Sequence, residues 1–396
     1  MNMIKTNRFA TSAIALALAS AVQATSTMAA TDFPSDAPAD RSIGPLQQVF
    51  AFQDAMPTGV TVSETGRIFV NFPRWGDDVP FTVAEISEGK LRPYPNDRIN
   101  HENSVDPAKG LISVQSVVAD GQGRVWLLDT AAPGFTAPRA GGAKLVAVDL
   151  ASNQVVKTLV FPPHVILPST YVNDMRFDFR HGNQGTVYVT DSSVSGPGAI
   201  IVMDIESGKA MRRLSGARST SVDPSFIPMV EGQPVMSRGA DGKPKPLGVA
   251  SDGIALSADG KTLYFSPLSS RHLYSVPTAL LRDAGISDKR LEAAVVDLGE
   301  KGASDGLEAD AEGAVYATDY EHNAIRKRLA DGAWKTIVQD PRVLWPDTLS
   351  IGPDGYLYFT ANQLHRQAGF RNGVDQRVKP YSLLRVKIDA APAPTR

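Results

Sequence analysis

The chain has 396 residues, of which 42% are hydrophobic and 21% charged, with 33 Gly, 28 Pro and no Cys. This composition is that of a folded chain and excludes a disordered or collagen-like polypeptide. The formal net charge of −2 provides no excess of Lys and Arg for nucleic acid. The lack of Cys excludes disulfides, thiolate metal sites and a Cys nucleophile.

Residues 1–30 have the order of a secretory signal peptide. Lys5 and Arg8 precede an apolar run at residues 13–22, and small residues follow. This run is too short to cross a bilayer as a helix, so no membrane anchor is predicted. We predict an exported protein, either periplasmic or extracellular.

A glycine turn followed by a short strand of alternating β-branched and aromatic residues occurs six times along the chain. The turn glycines are Gly66, Gly123, Gly185, Gly260, Gly313 and Gly355. Each strand is preceded by another alternating strand, as in a hairpin, and followed by further strands, which gives about four strands per unit. Six such units predict an all-β fold, a six-bladed β-propeller with antiparallel blades around a central channel.

Other segments fit around this repeat. Residues 46–52 and 382–388 are predicted to complete a shared last blade, which removes exposed strand edges. Residues 215–247, rich in Gly, Pro and Ser, are predicted to form a lid or binding loop. Residues 278–283 and 287–294 are predicted to form short helices, each with its first residue as the N-cap.

The domain organisation predicted from these features is simple. It comprises a signal peptide at 1–30, an N-terminal linker at 31–43, a single propeller at 44–388 and a flexible tail at 389–396.

Alignment of the repeats on their turn glycines reveals a column of polar residues eight positions upstream, where the inner strands begin. The column contains Thr58, Gln115, Asp252, Asp305 and Asp347, and in the third repeat, whose turn is longer, Asn173 or Asp174. Carboxylates that converge on the channel raise each other's pKa or recruit a cation, so an oxygen-ligated ion such as Ca²⁺ or an organic amine would suit this ring. The alternative is that each Asp only caps the backbone of an inner strand.

Two further residue types were considered for the site. His322, beyond the end of a strand in the fifth repeat, is the histidine selected as an acid/base group, with a surface or core role as the alternative. The tryptophans are predicted to fill the core between blades. They are Trp75, Trp126, Trp334 and Trp345.

Four motifs, in this order, resemble the major royal jelly/Yellow proteins in their bacterial form. They are NFPRW at 71–75, VWLLDT at 125–130, YVND at 171–174 and LYFSPLSSRHLYSVP at 263–277. The resemblance implies a secreted propeller whose channel binds biogenic amines and indole or catechol compounds, with dopachrome conversion linked to some members. The wider superfamily includes calcium-dependent gluconolactonases, whose metal ligands match Asn173 and Asp305, whereas Thr58 and Gly59 stand where their first repeat has Glu.

Three functions are therefore considered. In the first, the channel binds an aromatic amine, catechol or indole, and an axial carboxylate moves a proton as in a dopachrome tautomerase. Its catalytic residues would be Asp174 and Asp305, and its ligand-binding residues Thr58, Gln115, Tyr171, Asp252, Asp347 and His322. In the second, a lactonase-type hydrolase uses Ca²⁺ held by Asn173, Asp174, Asp252 and Asp305. In the third, the propeller is a non-catalytic interaction scaffold. The sequence implies no further cofactor and does not determine the oligomeric state.

Overall fold

The computed structural model describes residues 42–101, 106–238 and 242–396. The predicted signal peptide lies outside the described residues, as does the predicted linker up to residue 41. The described residues contain six four-stranded antiparallel sheets arranged as the blades of a β-propeller. The predicted fold class is confirmed.

The strands follow the chain from blade to blade. Strand β1 (Gln47–Phe52) comes first, followed by blade 1 with β2 (Val60–Val62), β3 (Ile68–Asn71), β4 (Val83–Ser87) and β5 (Lys90–Pro93). Blade 2 comprises β6 (Val114–Ala119), β7 (Arg124–Asp129), β8 (Lys144–Asp149) and β9 (Gln154–Val160). Blade 3 comprises β10 (Val172–Asp178), β11 (Thr186–Asp191), β12 (Ala199–Asp204) and β13 (Ala210–Arg213).

An insertion of two small hairpins separates blades 3 and 4. Its strands are β14 (Met229–Val230), β15 (Gln233–Pro234), β16 (Met236–Arg238) and β17 (Pro244–Pro246). Blade 4 comprises β18 (Ser251–Leu256), β19 (Thr262–Pro267), β20 (His272–Pro277) and β21 (Val296–Glu300). Blade 5 comprises β22 (Leu307–Ala309), β23 (Val315–Asp319), β24 (Ala324–Arg328) and β25 (Trp334–Gln339). Blade 6 contains β26 (Pro346–Ile351), β27 (Tyr356–Ala361) and β28 (Tyr381–Lys387).

The propeller is closed by strands from both ends of the chain. Strand β1 pairs antiparallel with β28, from Gln47 opposite Arg385 to Phe52 opposite Tyr381, and supplies the fourth strand of blade 6. The predicted shared blade is therefore confirmed. Because β1 pairs with β28, the edge of β28 is not left without a hydrogen-bonding partner.

Two short helices interrupt blade 4 between β20 and β21: α1 (Thr278–Arg282) and α2 (Asp288–Ala293). Ser287 caps α2 as predicted, accepting a hydrogen bond from the backbone N–H of Arg290. The predicted Thr278 cap is wrong, because Thr278 is already helical and its hydroxyl donates to the carbonyl of Gly260 at 2.7 Å. Within the described parts of the chain, no helix is long and apolar enough to cross a membrane.

Four of the inner strands are irregular at the predicted polar column. The pairing register shifts between Val114 and Ser116 in β6, and between Val172 and Met175 in β10. Similar shifts occur at residues 251–254 in β18 and 346–349 in β26. A bulge of this kind changes the direction of a side chain at the start of a strand. Gln115, Asp252 and Asp347 lie within these bulges.

Buried ion pairs fix the strand ends within blades 2 and 3. Asp129 accepts hydrogen bonds from the backbone N–H groups of Ile112 and Ser113 and from the Lys144 ammonium at 2.7 Å. Asp191 accepts from the guanidinium of Arg212 at 2.6 Å. Each carboxylate thus satisfies backbone donors and has a cation at its side.

The residues predicted as a flexible tail lie across the end of the channel where the inner strands terminate. The carbonyl of Thr395 accepts a hydrogen bond from Phe179 at 2.8 Å, and the Thr395 hydroxyl donates to the carbonyl of Asp120 at 2.7 Å. Residues 392–396 line a cavity of about 270 Å³ there, together with Arg176 and Glu308.

Candidate functional site

A second cavity, of about 260 Å³, lies where the inner strands begin. Five positions of the polar column line it, from five different blades. They are Gln115, Asn173, Asp252, Asp305 and Asp347. The three aspartates are only 4–6% exposed. A small, mostly apolar cavity with a few converging polar groups is the usual form of a small-molecule site.

Glycines next to the aspartates allow the inner strands to come this close. A Cβ atom at Gly253 would lie 2.6 Å from the carbonyl oxygen of Asp305. A Cβ at Gly306 would meet the carbonyl oxygen of Asp347. The Asp-Gly dipeptides therefore do more than form turns, since they bring the aspartates of blades 4, 5 and 6 together.

Each of the three carboxylates accepts a hydrogen bond from a neutral donor. The hydroxyl of Ser192 donates to Asp252 at 3.1 Å, the indole N–H of Trp345 to Asp305 at 2.7 Å, and the amide of Asn362 to Asp347 at 2.8 Å. No ion pair links any of the three to a cation among the residues that the structure describes. Among the described residues, these carboxylates are held by hydrogen bonds from neutral groups and by no direct ion pair.

Burial therefore raises the pKa of all three aspartates. The pKa of Asp252 is raised well above its usual range by burial and by the charges of Asp305, Asp347 and Asp174. Burial and the charge of Asp305 do the same to the pKa of Asp347. Burial raises the pKa of Asp305 to about 6, against hydrogen bonds from Trp345 and Asp252. Burial thus favours the protonated carboxylic acid over the carboxylate at all three positions.

Three aromatic rings form one wall of the cavity. Trp75 stacks on Phe135 with ring centroids 5.1 Å apart, and Phe135 stacks on Tyr171 at 4.3 Å. The indole N–H of Trp75 donates to the Tyr171 hydroxyl at 2.8 Å, which donates to the side-chain oxygen of Gln115 at 2.9 Å. This chain of bonds leaves the amide N–H donors of Gln115 for a ligand.

Trp75 was predicted to fill the core between blades; it packs against the core and also lines the cavity. Trp126 and Trp345 are fully buried, whereas Trp75 is partly exposed and lines the cavity. Trp75 closes the NFPRW motif in the loop after β3, which carries it from the blade to the channel entrance. Phe135 was not predicted, and its signal was weak: a single aromatic in a loop rich in Pro and Gly.

Thr58 and Asp174 lie in the column but do not line the cavity. Thr58 is fully buried; its hydroxyl accepts from the amide of Asn71 at 2.9 Å and faces the carbonyl of Gln115. Asp174 accepts from the hydroxyl of Ser116 at 2.8 Å and from the guanidinium of Arg176 at 2.9 Å. Asp174 is therefore paired with Arg176 outside the cavity lining, while its neighbour Asn173 lines the cavity.

The structure does not bring His322 to the site. Its ring contacts Asp319 at 2.9 Å, and 64% of its side chain is exposed. The hydrogen bond that the ring donates to the Asp319 carboxylate raises the pKa of His322. His322 is absent from the cavity lining and lies in the exposed turn between β23 and β24.

The residues predicted as calcium ligands do not fit a metal site. In residues 42–101, 106–238 and 242–396, no group of three or more His, Asp or Glu side chains is placed to hold a metal ion. Asp174 is bonded to Arg176, whose positive charge opposes a second cation at this position. We derive no step through a metal.

Two loops cover the cavity. The insertion between blades 3 and 4 contributes Ser237, Arg238, Lys245 and Leu247, in agreement with the lid predicted at residues 215–247. The loop after β27 was not predicted, and contributes Leu364, Gln367 and Phe370. Glu231 joins the two loops, accepting hydrogen bonds from the side chains of Arg366 and His365 at 2.8 Å.

Solved structures of similar shape are propellers of low sequence identity. A luciferin-regenerating enzyme superposes with a TM-score of 0.54 and 14% identity, over 88% of this chain and 98% of its own. A protein assigned as a gluconolactonase superposes with a TM-score of 0.52 and 12% identity, over 88% of this chain and 95% of its own. These likenesses concern the fold alone.

The sequence comparisons identify the family. Protein yellow of Drosophila erecta is 28% identical over 245 residues, which span 58% of this chain and 42% of that relative. The chain thus matches less than half the length of this curated relative. Residues 112–394 match the family described as major royal jelly protein. The family predicted from the motifs is confirmed, and the chain belongs to the major royal jelly protein family.

Proposed function

We propose that this protein binds a small aromatic molecule of the amine, catechol or indole type in the cavity at the start of its inner strands. The observation that carries the proposal is that one small cavity combines a stacked aromatic wall with three carboxyl groups that form no ion pair with any described residue. The carboxylates are stabilised by hydrogen-bond donors or by a cation on the ligand. The aromatic wall favours a flat apolar part of the ligand. One aromatic molecule with amine, hydroxyl or N–H groups supplies both.

The binding geometry follows from the lining. An aromatic ring packs against Trp75, Phe135 and Tyr171, where stacked or tilted contacts are favourable. Its donors point to the floor, where Asp252, Asp305 and Asp347 accept hydrogen bonds. A protonated amine would pair with Asp252 and Asp305 and relieve the repulsion between their negative charges.

The floor is also suited to proton transfer, and we propose tautomerisation of a catechol-derived ring as the chemistry of the site. Asp305, with a pKa of about 6, can accept a proton near neutral pH. In such a step Asp305 removes a proton from a ring carbon, the electron pair moves to a ring oxygen or nitrogen, and Asp252 returns a proton there. The product is an isomer of the substrate, so no oxidant or metal is required.

The first experiment measures binding and turnover on the same variants. Dopamine, serotonin and gluconolactone are titrated into wild-type protein by calorimetry, and decay of dopachrome is followed by absorbance. We expect binding of the two aromatic compounds and accelerated dopachrome decay, with binding weakened and the acceleration lost in Asp252→Asn and Asp305→Asn. Asp288→Asn, which removes a charge from the exposed start of α2, is the matched control.

The outcomes separate the alternatives. Binding without acceleration of dopachrome decay would retain the binding function and remove the tautomerase chemistry. Failure of every aromatic compound to bind, with axial variants that change only the melting temperature, would contradict the proposal and favour a scaffold. Gluconolactone hydrolysis that stops with EDTA would favour the lactonase. We also propose that the protein acts after export, on the strength of the signal-like residues 1–30.

A further inference from the structure

Two cationic residues line the open end of the cavity. Arg238 and Lys245 lie on the hairpin of β16 and β17. Both are exposed, whereas Asp252, Asp305 and Asp347 are 4–6% exposed. The cations therefore mark the mouth of the cavity, and the aspartates mark its floor.

Neither cation is neutralised within the described parts of the chain. The guanidinium of Arg238 donates to a backbone carbonyl and to the side-chain oxygen of Asn372, both at 3.0 Å and both uncharged. Lys245 makes no ion pair with any described residue. Arg366, in the other loop over the cavity, is by contrast bound to Glu231. The mouth thus carries positive charge that none of the described residues pairs with.

The two ends of the cavity therefore have opposite charge preferences. A carboxylate on a ligand would be repelled by the floor and attracted to the mouth, while hydroxyl or N–H donors suit the floor. The aromatic wall of Trp75, Phe135 and Tyr171 also lines this space. Such an arrangement selects the orientation of a ligand as well as its type.

We propose that the preferred ligands are aromatic acids, with ring donors on the floor aspartates and a carboxylate held by Arg238 and Lys245. This inference rests on the proposed function and narrows its ligand class. It assigns Arg238 and Lys245 as specificity-determining residues. An aromatic amine that lacks a carboxylate would occupy the same cavity with lower affinity.

Two pairs of compounds test the proposal, because the members of each pair differ by one carboxylate. They are L-dopa with dopamine, and 5-hydroxytryptophan with serotonin, each titrated calorimetrically at low ionic strength. We expect the acid to bind roughly five- to tenfold more tightly, as for a charged hydrogen bond at a partly exposed site. In the double variant Arg238→Gln/Lys245→Gln the acids should lose this advantage while the amines bind as before. Lys335→Gln, an exposed site in β25, is the control.

Three results would overturn the inference. Equal or weaker binding of the acids would overturn it and leave the proposed function standing. An acid preference that survives the double variant would place the carboxylate elsewhere. If none of the four compounds binds, the proposed function fails and the inference falls with it.

Discussion

Two groups of buried aspartates occupy this propeller, and they differ in how their charge is compensated. Asp129 and Asp191, at the ends of β7 and β11, have Lys144 and Arg212 as partners. Burial raises the pKa of Asp191, and the charge of Arg212 opposes that rise. The aspartates around the channel are buried to a similar degree, yet in the described residues no cation pairs with them.

The presence or absence of a cationic partner distinguishes the aspartates that stabilise the fold from those that are available for chemistry. A carboxylate with a cation and backbone donors at its side is already satisfied and stabilises the strand ends. A carboxylate that must retain a proton can exchange that proton for a ligand. Asp252, Asp305 and Asp347 are of the second kind. The following predictions test this division, beginning with the largest effect.

Loss of a cation from the first group should destabilise the fold strongly. In Lys144→Met the buried Asp129 carboxylate keeps its backbone donors but loses its counter-charge. We expect the free energy of unfolding to fall by about 3–5 kcal/mol, as when one partner of a buried pair is removed. Urea denaturation measures it, with Lys335→Met as the exposed control. A loss near that of the control would mean that the pair is not structural.

Neutralisation of the second group should affect binding and not folding. Asp252→Asn keeps the shape of the side chain and removes repulsion with Asp305 and Asp347. We expect unchanged or increased stability, and binding of an aromatic ligand weakened by about 1.5–3 kcal/mol, the value of a hydrogen bond to a charged group. Thermal melting and calorimetry on the same preparation measure both. A large loss of stability would place Asp252 with the structural aspartates.

Separation of the inner strands should weaken the site through geometry alone. In Gly253→Ala the added methyl group meets the carbonyl oxygen of Asp305. We expect a loss of stability of about 1–3 kcal/mol from overpacking, with weaker ligand binding although no carboxylate is changed. Gly313→Ala serves as a comparison: its Cβ would meet no atom within 4 Å, but its φ of +88° adds its own strain. Unaltered binding in Gly253→Ala would show that close approach of blades 4 and 5 is not required.

A pH dependence of stability is also expected. Burial raises the pKa of Asp305 to about 6 from 3.8, so in this interval the folded chain binds more protons than the unfolded chain. The stabilising contribution is complete below about pH 4 and is lost as the pH rises through about 6. The melting temperature of the wild type should therefore fall relative to Asp305→Asn over this interval. Parallel curves for the two proteins would contradict the raised pKa.

Much of the fold was predictable from the sequence, because a strand leaves a local signature. Alternating residues after each turn glycine predicted six blades, and the strand-like segments near both termini predicted the shared blade. The polar column was also predictable, since a repeat places equivalent residues at equivalent positions. The local sequence pattern gave a wrong prediction where a side chain contacts a residue far away in the sequence. Threonine is a residue type that often caps helices, but the hydroxyl of Thr278 donates its hydrogen bond to the carbonyl of Gly260 in a neighbouring turn.

The sequence alone determined the propeller, the column of polar residues at the channel and the family. Only the tertiary structure decided which column members face the ligand cavity. Asp174 and Asp252 look equivalent in sequence, yet Arg176 neutralises the first and no described cation neutralises the second. The tertiary structure also brought Trp75, Phe135 and the two covering loops to the cavity. These outcomes depend on which charges and surfaces come within a few ångströms of one another, and residues far apart in the chain meet only when the blades close into a ring.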